Sequence, residues 1–432
     1  MNRADFLQPV CFIDGEQLQQ FASRPDQGDV EGVAYEWEDE QVWHLHFAPL
    51  PHGFGRTHSV LFTHSDRPVA DDRQEVVVCV ASDGATQVWM AGREEPLMPK
   101  LIPSKADLYS RNKGLLELNI LESKRVMIVG LGSFGSQIAI ELAKAGVGHF
   151  ALMDFDRVEL HNLARHTATT HDLGRLKTDV IADAIVGKNP YAQVERFPIN
   201  INEQPELMLE QCAKADVVIC ATDNNLSRFH LSDALVKTQT VGIFGRAITR
   251  AEGGDVFRYR PGGPCYCCLL GNGWYNATME EITDEASARR DGRIAAYVSP
   301  EDADAMVQVG LSADIEPMCN MMVKLALVEL SRGAESGITS LEDEFTYAYY
   351  MWANRRERNY TNWASFANPG QMPTIMRWYG VELERDECCA LCGSATNLDL
   401  GQGLVDAYGD ENCRVNVSNA ISLDDLEAGH SS

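Results

Sequence analysis

The chain has 432 residues and carries 37 lysines and arginines against 63 aspartates and glutamates, a formal charge of −26. Acidity on that scale argues against nucleic acid or an anionic membrane as the main partner and is compatible with a basic protein surface. At this length a single ordinary core is too little, so two or three domains are expected.

No signal-peptide pattern opens the sequence and no apolar run approaches the roughly 20 residues of a membrane span, which leads us to expect a cytoplasmic protein. In that compartment the 12 cysteines are better explained by metal or catalysis than by disulfides.

Residues 1–105 predict a β-rich domain of unknown role. Apolar residues alternate or cluster at strand length over 32–37, 41–47 and 75–81, between turn-rich pieces such as 24–28. His44-Leu-His46 invites a metal reading of a deubiquitinase-like kind. No Ser-x-x-Asp stands at a suitable distance, and alternate faces of a strand are preferred. Residues 98–105, with Pro99 and Pro103, read as a linker, and 107–123 as a helical lead-in carrying Arg111.

The stretch from Val126 to Arg165 reads strand, turn, helix, strand. Four apolar residues, 126–129, run into Gly130-Leu-Gly132-Ser-Phe-Gly135, and a helix with Phe134, Ile138 and Leu142 on one face follows. Such glycines let the backbone turn tightly and approach a phosphate, which the helix N-terminus then faces with oriented N–H groups. The next strand, 150–153, ends at Asp154, placed where such folds hold a ribose hydroxyl. Asn162 and Arg165 follow it by eight and eleven residues, and Lys177 comes twelve later. These groups suit a triphosphate better than the nicotinamide ring of a dehydrogenase. A further strand, 217–221, ends in Thr222-Asp223-Asn224, where Asp223 could hold magnesium. Helices at 179–188 and 226–237 and strands at 193–201 and 240–244 continue a β-α-β succession, which predicts an α/β fold with a doubly wound, mostly parallel sheet.

Cys265-Tyr-Cys267-Cys268 and Cys388-Cys389-Ala-Leu-Cys392 are two Cys-x-x-Cys pairs, together enough thiolates to close a structural zinc tetrahedron. We assign Cys265, Cys268, Cys389 and Cys392 to it; Cys267 and Cys388 compete, and a redox dithiol is the alternative. Residues 272–308 are polar, and no cysteine lies between Cys268 and Cys319. Cys319 sits in an apolar helix, 318–330, as a packed thiol. The density of Tyr347, Tyr349, Tyr350, Trp352, Trp363 and Trp378 suits either a protein interface or a core. Residues 401–432 read as an acidic, flexible tail.

From about Tyr109 to Cys392 these motifs resemble the superfamily of ThiF, MoeB and the ubiquitin-activating enzymes. The resemblance implies a Rossmann-like ThiF-type adenylation domain over 106–400, tied by zinc in its C-terminal part. It implies that Gly130, Gly132, Gly135, Asp154, Asp156, Asn162, Arg165 and Lys177 bind ATP, with Asp154 on the ribose and Asn162, Arg165 and Lys177 on the phosphates. Asp223 would hold magnesium. Tyr109-Ser-Arg111 is similar to a Tyr-x-Arg element whose arginine crosses a homodimer to the partner's ATP. The catalytic set is then Arg111, Asn162, Arg165, Lys177 and Asp223. The implied reaction is adenylation of the C-terminal carboxylate of a ubiquitin-like protein. Transfer in a bacterial ubiquitin-like conjugation pathway, with a ubiquitin-conjugating-type enzyme as partner, would follow. The family's acceptor cysteine is missing from the crossover segment, which leaves direct transfer, another thiol such as Cys319 or Cys413, or an ester on Ser299. The alternatives are an enzyme of the same chemistry in sulfur-carrier or peptide-modification biosynthesis, and an inactive scaffold.

Overall fold

A computed structural model describes residues 8–37, 40–50, 55–67, 75–102, 108–116, 118–248, 251, 253–271, 310–335, 338, 340–354 and 376–393. Its contacts separate into two compact units, Met1–Arg111 and Asn112–Ser432.

The first unit is built on a seven-stranded mixed sheet. In chain order it contains β1 (Val10–Asp14), α1 (Gly15–Ala22), β2 (Val30–Trp37), β3 (Val42–His46), β4 (Arg56–Thr63), β5 (Val76–Val80), β6 (Thr86–Met90) and β7 (Lys100–Ile102). The sheet order is β6-β5-β4-β2-β3-β1-β7. Asp14 stops β1 and starts α1, its carboxylate accepting the N–H groups of Glu16 and Gln17 at 2.9 Å. Leu18 and Phe21 of α1 then close over Cys11, Ile13, Leu45, Val60 and Phe62.

Three sequence expectations are corrected in this stretch. His44 and His46 do not lie on alternate faces. A strand repeats every two residues, so both stand opposite the fully buried Leu45, with near-parallel rings 6.4 Å apart. His44 stacks on Phe12 and His46 meets the edge of Tyr35, and burial holds both imidazoles below their usual pKa. Among the described residues neither belongs to a group able to hold a metal. The expected linker contributes β7, which pairs in parallel with β1. The lead-in is mostly turns rather than a helix: Gly114 takes a φ of +87°, and only the short α2 (Leu118–Leu121) follows.

The second unit is built on an eight-stranded sheet, ordered β10-β9-β8-β11-β12-β13-β14-β15. Its strands are β8 (Arg125–Val129), β9 (His149–Met153), β10 (Gln193–Phe197), β11 (Val217–Cys220), β12 (Val241–Ala247), β13 (Gly253–Tyr259), β14 (Tyr349–Ala353) and β15 (Arg377–Val381). The first five are parallel and the last three join antiparallel. After α2, its helices among the described residues are α3 (Ser133–Ala145), α4 (Lys177–Lys188), α5 (Pro205–Lys214), α6 (Asn225–Thr238), α7 (Tyr266–Leu270), α8 (Ser312–Leu330) and α9 (Ser340–Glu344).

Alternation along the strands divides two cores. Val126 and Ile128 of β8 face α3, α4 and α8 through Ile138, Ile181 and Met322. Met127 and Val129 face α5, α6 and α7 through Cys212, Leu231 and Tyr266. Strands covered on both faces must be apolar at nearly every position, which is why 126–129 and 217–220 carry no polar interruption. Helix α8 sits unusually close to the sheet because β12 and β13 present glycines beneath it. A Cβ on Gly245 would stand 2.2 Å from the Met322 sulfur and one on Gly254 1.7 Å from the Met318 sulfur. Of the aromatic stretch, Tyr349, Tyr350 and Trp352 are buried in β14, and Trp352 packs on Trp378 of β15 with centroids 5.2 Å apart. Those residues are core. Tyr347 is partly exposed, and Trp363 lies outside the described residues.

Candidate functional site

From β8 the chain builds β9 and β10 on one side, then crosses to build β11 and β12 on the other. The topological switch point, where open α/β sheets bind ligands, is therefore the crevice at the C-terminal ends of β8 and β11. Register brings three chain segments together there, because Val129 pairs with both Met153 and Cys220. The residues that follow these strands are Gly130, Asp154 and Ala221.

The glycine turn is packed as tightly as backbone allows. Gly130 has a φ of +84°, and a Cβ on it would lie 2.8 Å from the Ala221 carbonyl oxygen. A Cβ on Gly135 would lie 1.9 Å from the Gly130 oxygen, so α3 leaves the turn with no room for a methyl group. Gly132 differs. Among the described residues, no atom beyond its chain neighbours lies within 4 Å of its missing Cβ, and that open space suits close approach of a ligand.

Leu131, between the first two glycines, is held from both sides. Its N–H donates to Asp154 Oδ2 at 2.6 Å, and its carbonyl accepts from His166 Nε2 at 2.7 Å. Because His166 Nδ1 accepts the Ala168 N–H at 2.9 Å, the ring is the neutral tautomer protonated on Nε2. Burial keeps its pKa below the usual value, with Lys177 pushing the same way and the Leu131 bond and Asp172 opposing. Asp154 Oδ1 accepts the Asp156 N–H at 2.8 Å. Burial raises the Asp154 pKa against the pull of Lys177 and these two bonds. Lys177 is itself buried and donates to Asp156 Oδ2 at 2.8 Å.

Gly130 to Gly135, Asp154, Asp156 and Lys177 thus form one connected group. Ser136 Oγ in α3 and Thr178 Oγ1 in α4 are buried without a hydrogen-bond partner among the described residues. Two unpaired hydroxyls, an open glycine and the uncapped N-terminus of α3 fit the demands of a polyanionic ligand.

The other expected residues are placed less directly. Asn162 ends a short 3₁₀ turn, Leu160–Asn162, where its Oδ1 accepts the Glu159 N–H at 3.0 Å. Arg165 is half-buried and lines a cavity of about 440 Å³ with Gln137 and Glu141 of α3 and Ser312, Glu316 and Asn320 of α8. Gln137 crosses that cavity, donating to Ser312 Oγ at 3.1 Å and to the Arg165 carbonyl at 3.4 Å. Asp223 is exposed just beyond β11, and Asn224 after it caps α6 by accepting the Ser227 N–H at 2.8 Å. Asn112, directly after the exposed Arg111, donates to the Lys144 carbonyl at the C-terminal end of α3. A 13-residue helix is about 20 Å long, so Asn112 is at the opposite end of α3 from the glycine turn.

A second centre joins distant segments. The sulfurs of Cys265, Cys268, Cys389 and Cys392 all lie within 4.8 Å of one another. Three separations are 3.9 Å (Cys265 to Cys268), 3.5 Å (Cys265 to Cys389) and 3.4 Å (Cys268 to Cys392). A tetrahedral zinc with bonds of about 2.3 Å sets its sulfurs about 3.8 Å apart. The four therefore fit that ion, and Cys267 and Cys388 are not in the convergent set. Backbone N–H groups of Asp386 and Leu391 point at Cys268 and Cys389 sulfurs, each at 3.5 Å. Cys319 is the packed thiol expected, buried against the Phe134 carbonyl, its pKa pushed up to about 12 by burial. Ser299 and Cys413 lie outside the described residues.

Comparison with known proteins identifies the family. The ThiF family profile matches residues 108–359, more than half of the chain. The chain belongs to the ThiF family. The adenylyltransferase and sulfurtransferase MOCS3 of Culex quinquefasciatus is 36% identical over 182 residues, covering 40% of this chain and 40% of that protein. The molybdopterin-synthase adenylyltransferase of Escherichia coli (strain K12) is 37% identical over 151 residues, covering 34% of this chain and 59% of that protein. The chain thus spans about two to three fifths of these relatives' length. Among solved structures, that of E. coli MccB has a TM-score of 0.48 at 17% identity, covering 67% of this chain and 73% of that one.

In this ThiF-family chain, sequence reasoning missed His166, Gln137 and Arg228. All three act by tertiary hydrogen bonds to backbone, and no local pattern marks them. For His166 a measurement follows. The unfolded ring takes up a proton near pH 6.5 and the folded ring resists it, so the unfolded state binds more protons below that pH and folding stability falls as pH drops below it. Thermal unfolding midpoints should fall between about pH 7 and about pH 5.5, and more steeply in the wild type than in His166→Gln, where this proton is gone. Parallel pH profiles would contradict a folded ring that resists protonation.

Proposed function

We propose that this chain is an ATP-dependent adenylyltransferase acting on the C-terminal carboxylate of a small carrier protein. What supports the reading is the meeting of the glycine turn, Asp154, Lys177 and the Asp223 strand end at the switch point of a ThiF-family sheet. In the reaction, a carboxylate oxygen attacks the α-phosphorus of ATP and the bond to the bridging oxygen breaks. Pyrophosphate leaves, and the product is an acyl adenylate. Nucleophile and electrophile are both anionic, so the site's task is to neutralise charge and align the two. No base is required, since a carboxylate is already ionised near neutral pH.

Asp154 and the α3 N-terminus organise the nucleotide end, and Asn162, Arg165 and Lys177 meet the phosphates. Magnesium, held by Asp223, would supply further neutralisation of the triphosphate. Arg111 acts on the site of a second copy, a reading supported by its neighbour Asn112 lying at the far end of α3. The chain is then a homodimer with paired sites. Zinc in the four-cysteine centre is structural.

As setting we favour sulfur-carrier activation, read first from the sequence as the alternative, over ubiquitin-like conjugation. The relatives' names carry sulfurtransferase and molybdopterin-synthase activities. Of the aromatic stretch, Tyr349, Tyr350 and Trp352 are core and offer no surface to a conjugation partner. A buried Cys319 with a pKa pushed up to about 12 is a poor acyl acceptor, which supports direct transfer to a partner. No helix among the described residues is long and apolar enough to cross a membrane, and we place the reaction in the cytoplasm. The N-terminal sheet we assign to partner binding.

With a competent carrier protein, Asp223→Asn and Arg165→Ala should each slow exchange of labelled pyrophosphate into ATP by about 100-fold or more. Wild-type rates in both would sink the site assignment. Elemental analysis of freshly purified, reduced protein should find about one zinc per chain, and Cys389→Ser should lose both the metal and thermal stability. Metal-free wild-type protein that unfolds cooperatively at the same temperature would refute the zinc assignment.

A further inference from the structure

The four-cysteine centre and the Asp223 turn are joined by a chain of hydrogen bonds that neither role requires. Tyr266, lying between the first two cysteines and fully buried, opens α7. Its backbone N–H donates to Ser232 Oγ in α6 at 3.2 Å, and its hydroxyl donates to Asn225 Oδ1, at the start of α6, at 3.1 Å. The ring between these two points is stacked on Phe244 of β12, centroids 5.3 Å apart, so it has no freedom to swing. Asn225 Oδ1 also accepts Arg228 Nη1 at 3.2 Å, and the buried Arg228 turns back to donate Nη2 to the Thr222 carbonyl at 2.6 Å. Thr222 immediately precedes Asp223.

A buried guanidinium whose Nε finds no partner among the described residues is expensive to keep, and a single carbonyl at a strand end could be satisfied by water. Its retention between α6 and the turn is accounted for if the turn must be rigid. Without this tie the exposed Asp223 connection would be held by the Asn224 cap and by the weaker contacts of Asn224 Nδ2 with Asp223 and of Cys220 with Thr222.

We propose that Tyr266 is a positioning residue that transmits the rigidity of the four-cysteine centre, through Asn225 and Arg228, to the turn bearing Asp223. The proposal deepens the adenylation reading and rests on it for the role of Asp223. Metal in the cysteine centre fixes α7, and α7 fixes the first turn of α6. The zinc centre then contributes to how well the metal-holding carboxylate is placed, besides tying the C-terminal segment to the sheet.

Amide hydrogen exchange reads the tie without reference to activity. In Tyr266→Phe, which keeps the stacked ring and removes only the hydroxyl, the amides of residues 223–227 should exchange about fivefold faster, the weight of one neutral hydrogen bond. Zinc content and the amides of 234–238 should not change. Asn225→Ala, at an exposed position remote from the cysteines in sequence, should give the same local effect, and the double variant should be no faster than either single one. Magnesium-dependent ATP binding should weaken by a similar factor in each. Unchanged exchange at 223–227 in both single variants, or additive effects in the double, would overturn the proposal. Faster exchange in a protein whose wild type binds no magnesium ATP would leave the tie standing and remove the adenylation reading instead.

Discussion

The site depends on a contact between two stretches of backbone that leaves no space for a side chain. Gly135 passes so close to the Gly130 carbonyl, and Gly130 to the Ala221 carbonyl, that a methyl group on either would overlap main-chain atoms with nowhere to move. Because of that approach the first turn of α3, the end of β8 and the end of β11 are effectively one rigid piece. Asp154 and His166 then fasten Leu131 to β9 and to the following loop. Asp154, Asp156 and Lys177 are connected to this packed turn by hydrogen bonds.

Much of this was legible in the sequence because it is local. Continuous apolar runs predict doubly covered parallel strands, and glycine spacing predicts the turn and the close helix. Paired Cys-x-x-Cys spacing predicts the cysteine centre, and the sulfurs' positions agree with the choice of Cys268 over Cys267 and Cys389 over Cys388. What the sequence hid is tertiary. The neutral tautomer of His166 is set by an amide two residues on and a carbonyl 35 residues away. Arg228 is one more helical arginine until its guanidinium is found on Thr222.

The expectations that failed did so for physical reasons of their own. His44 and His46 share a face because strands repeat every two residues, which was available from the sequence and misread. Residues 108–116 run mostly through turns, with Gly114 in a left-handed conformation, and beyond it among the described residues only the short α2 winds as helix. For the aromatic stretch, which suited interface and core equally, the structure chooses core at Tyr349, Tyr350 and Trp352, which complete the antiparallel extension of the sheet. That extension also carries the buried Arg246 and Asp255 pair, opposite one another on β12 and β13 and joined by the Tyr349 hydroxyl. A charge pair without water must be fully bonded, and the extension closes around it.

The central claim is that a nucleotide triphosphate lies across this turn, and its most direct test is a crystal structure with magnesium and a non-hydrolysable ATP analogue. The account expects the phosphates against the N–H groups of residues 132–135, passing over the open face of Gly132. Lys177 should be within hydrogen-bond reach of them, and the magnesium should sit on Asp223. Nucleotide bound elsewhere on the chain, or none bound at about millimolar analogue, would contradict it.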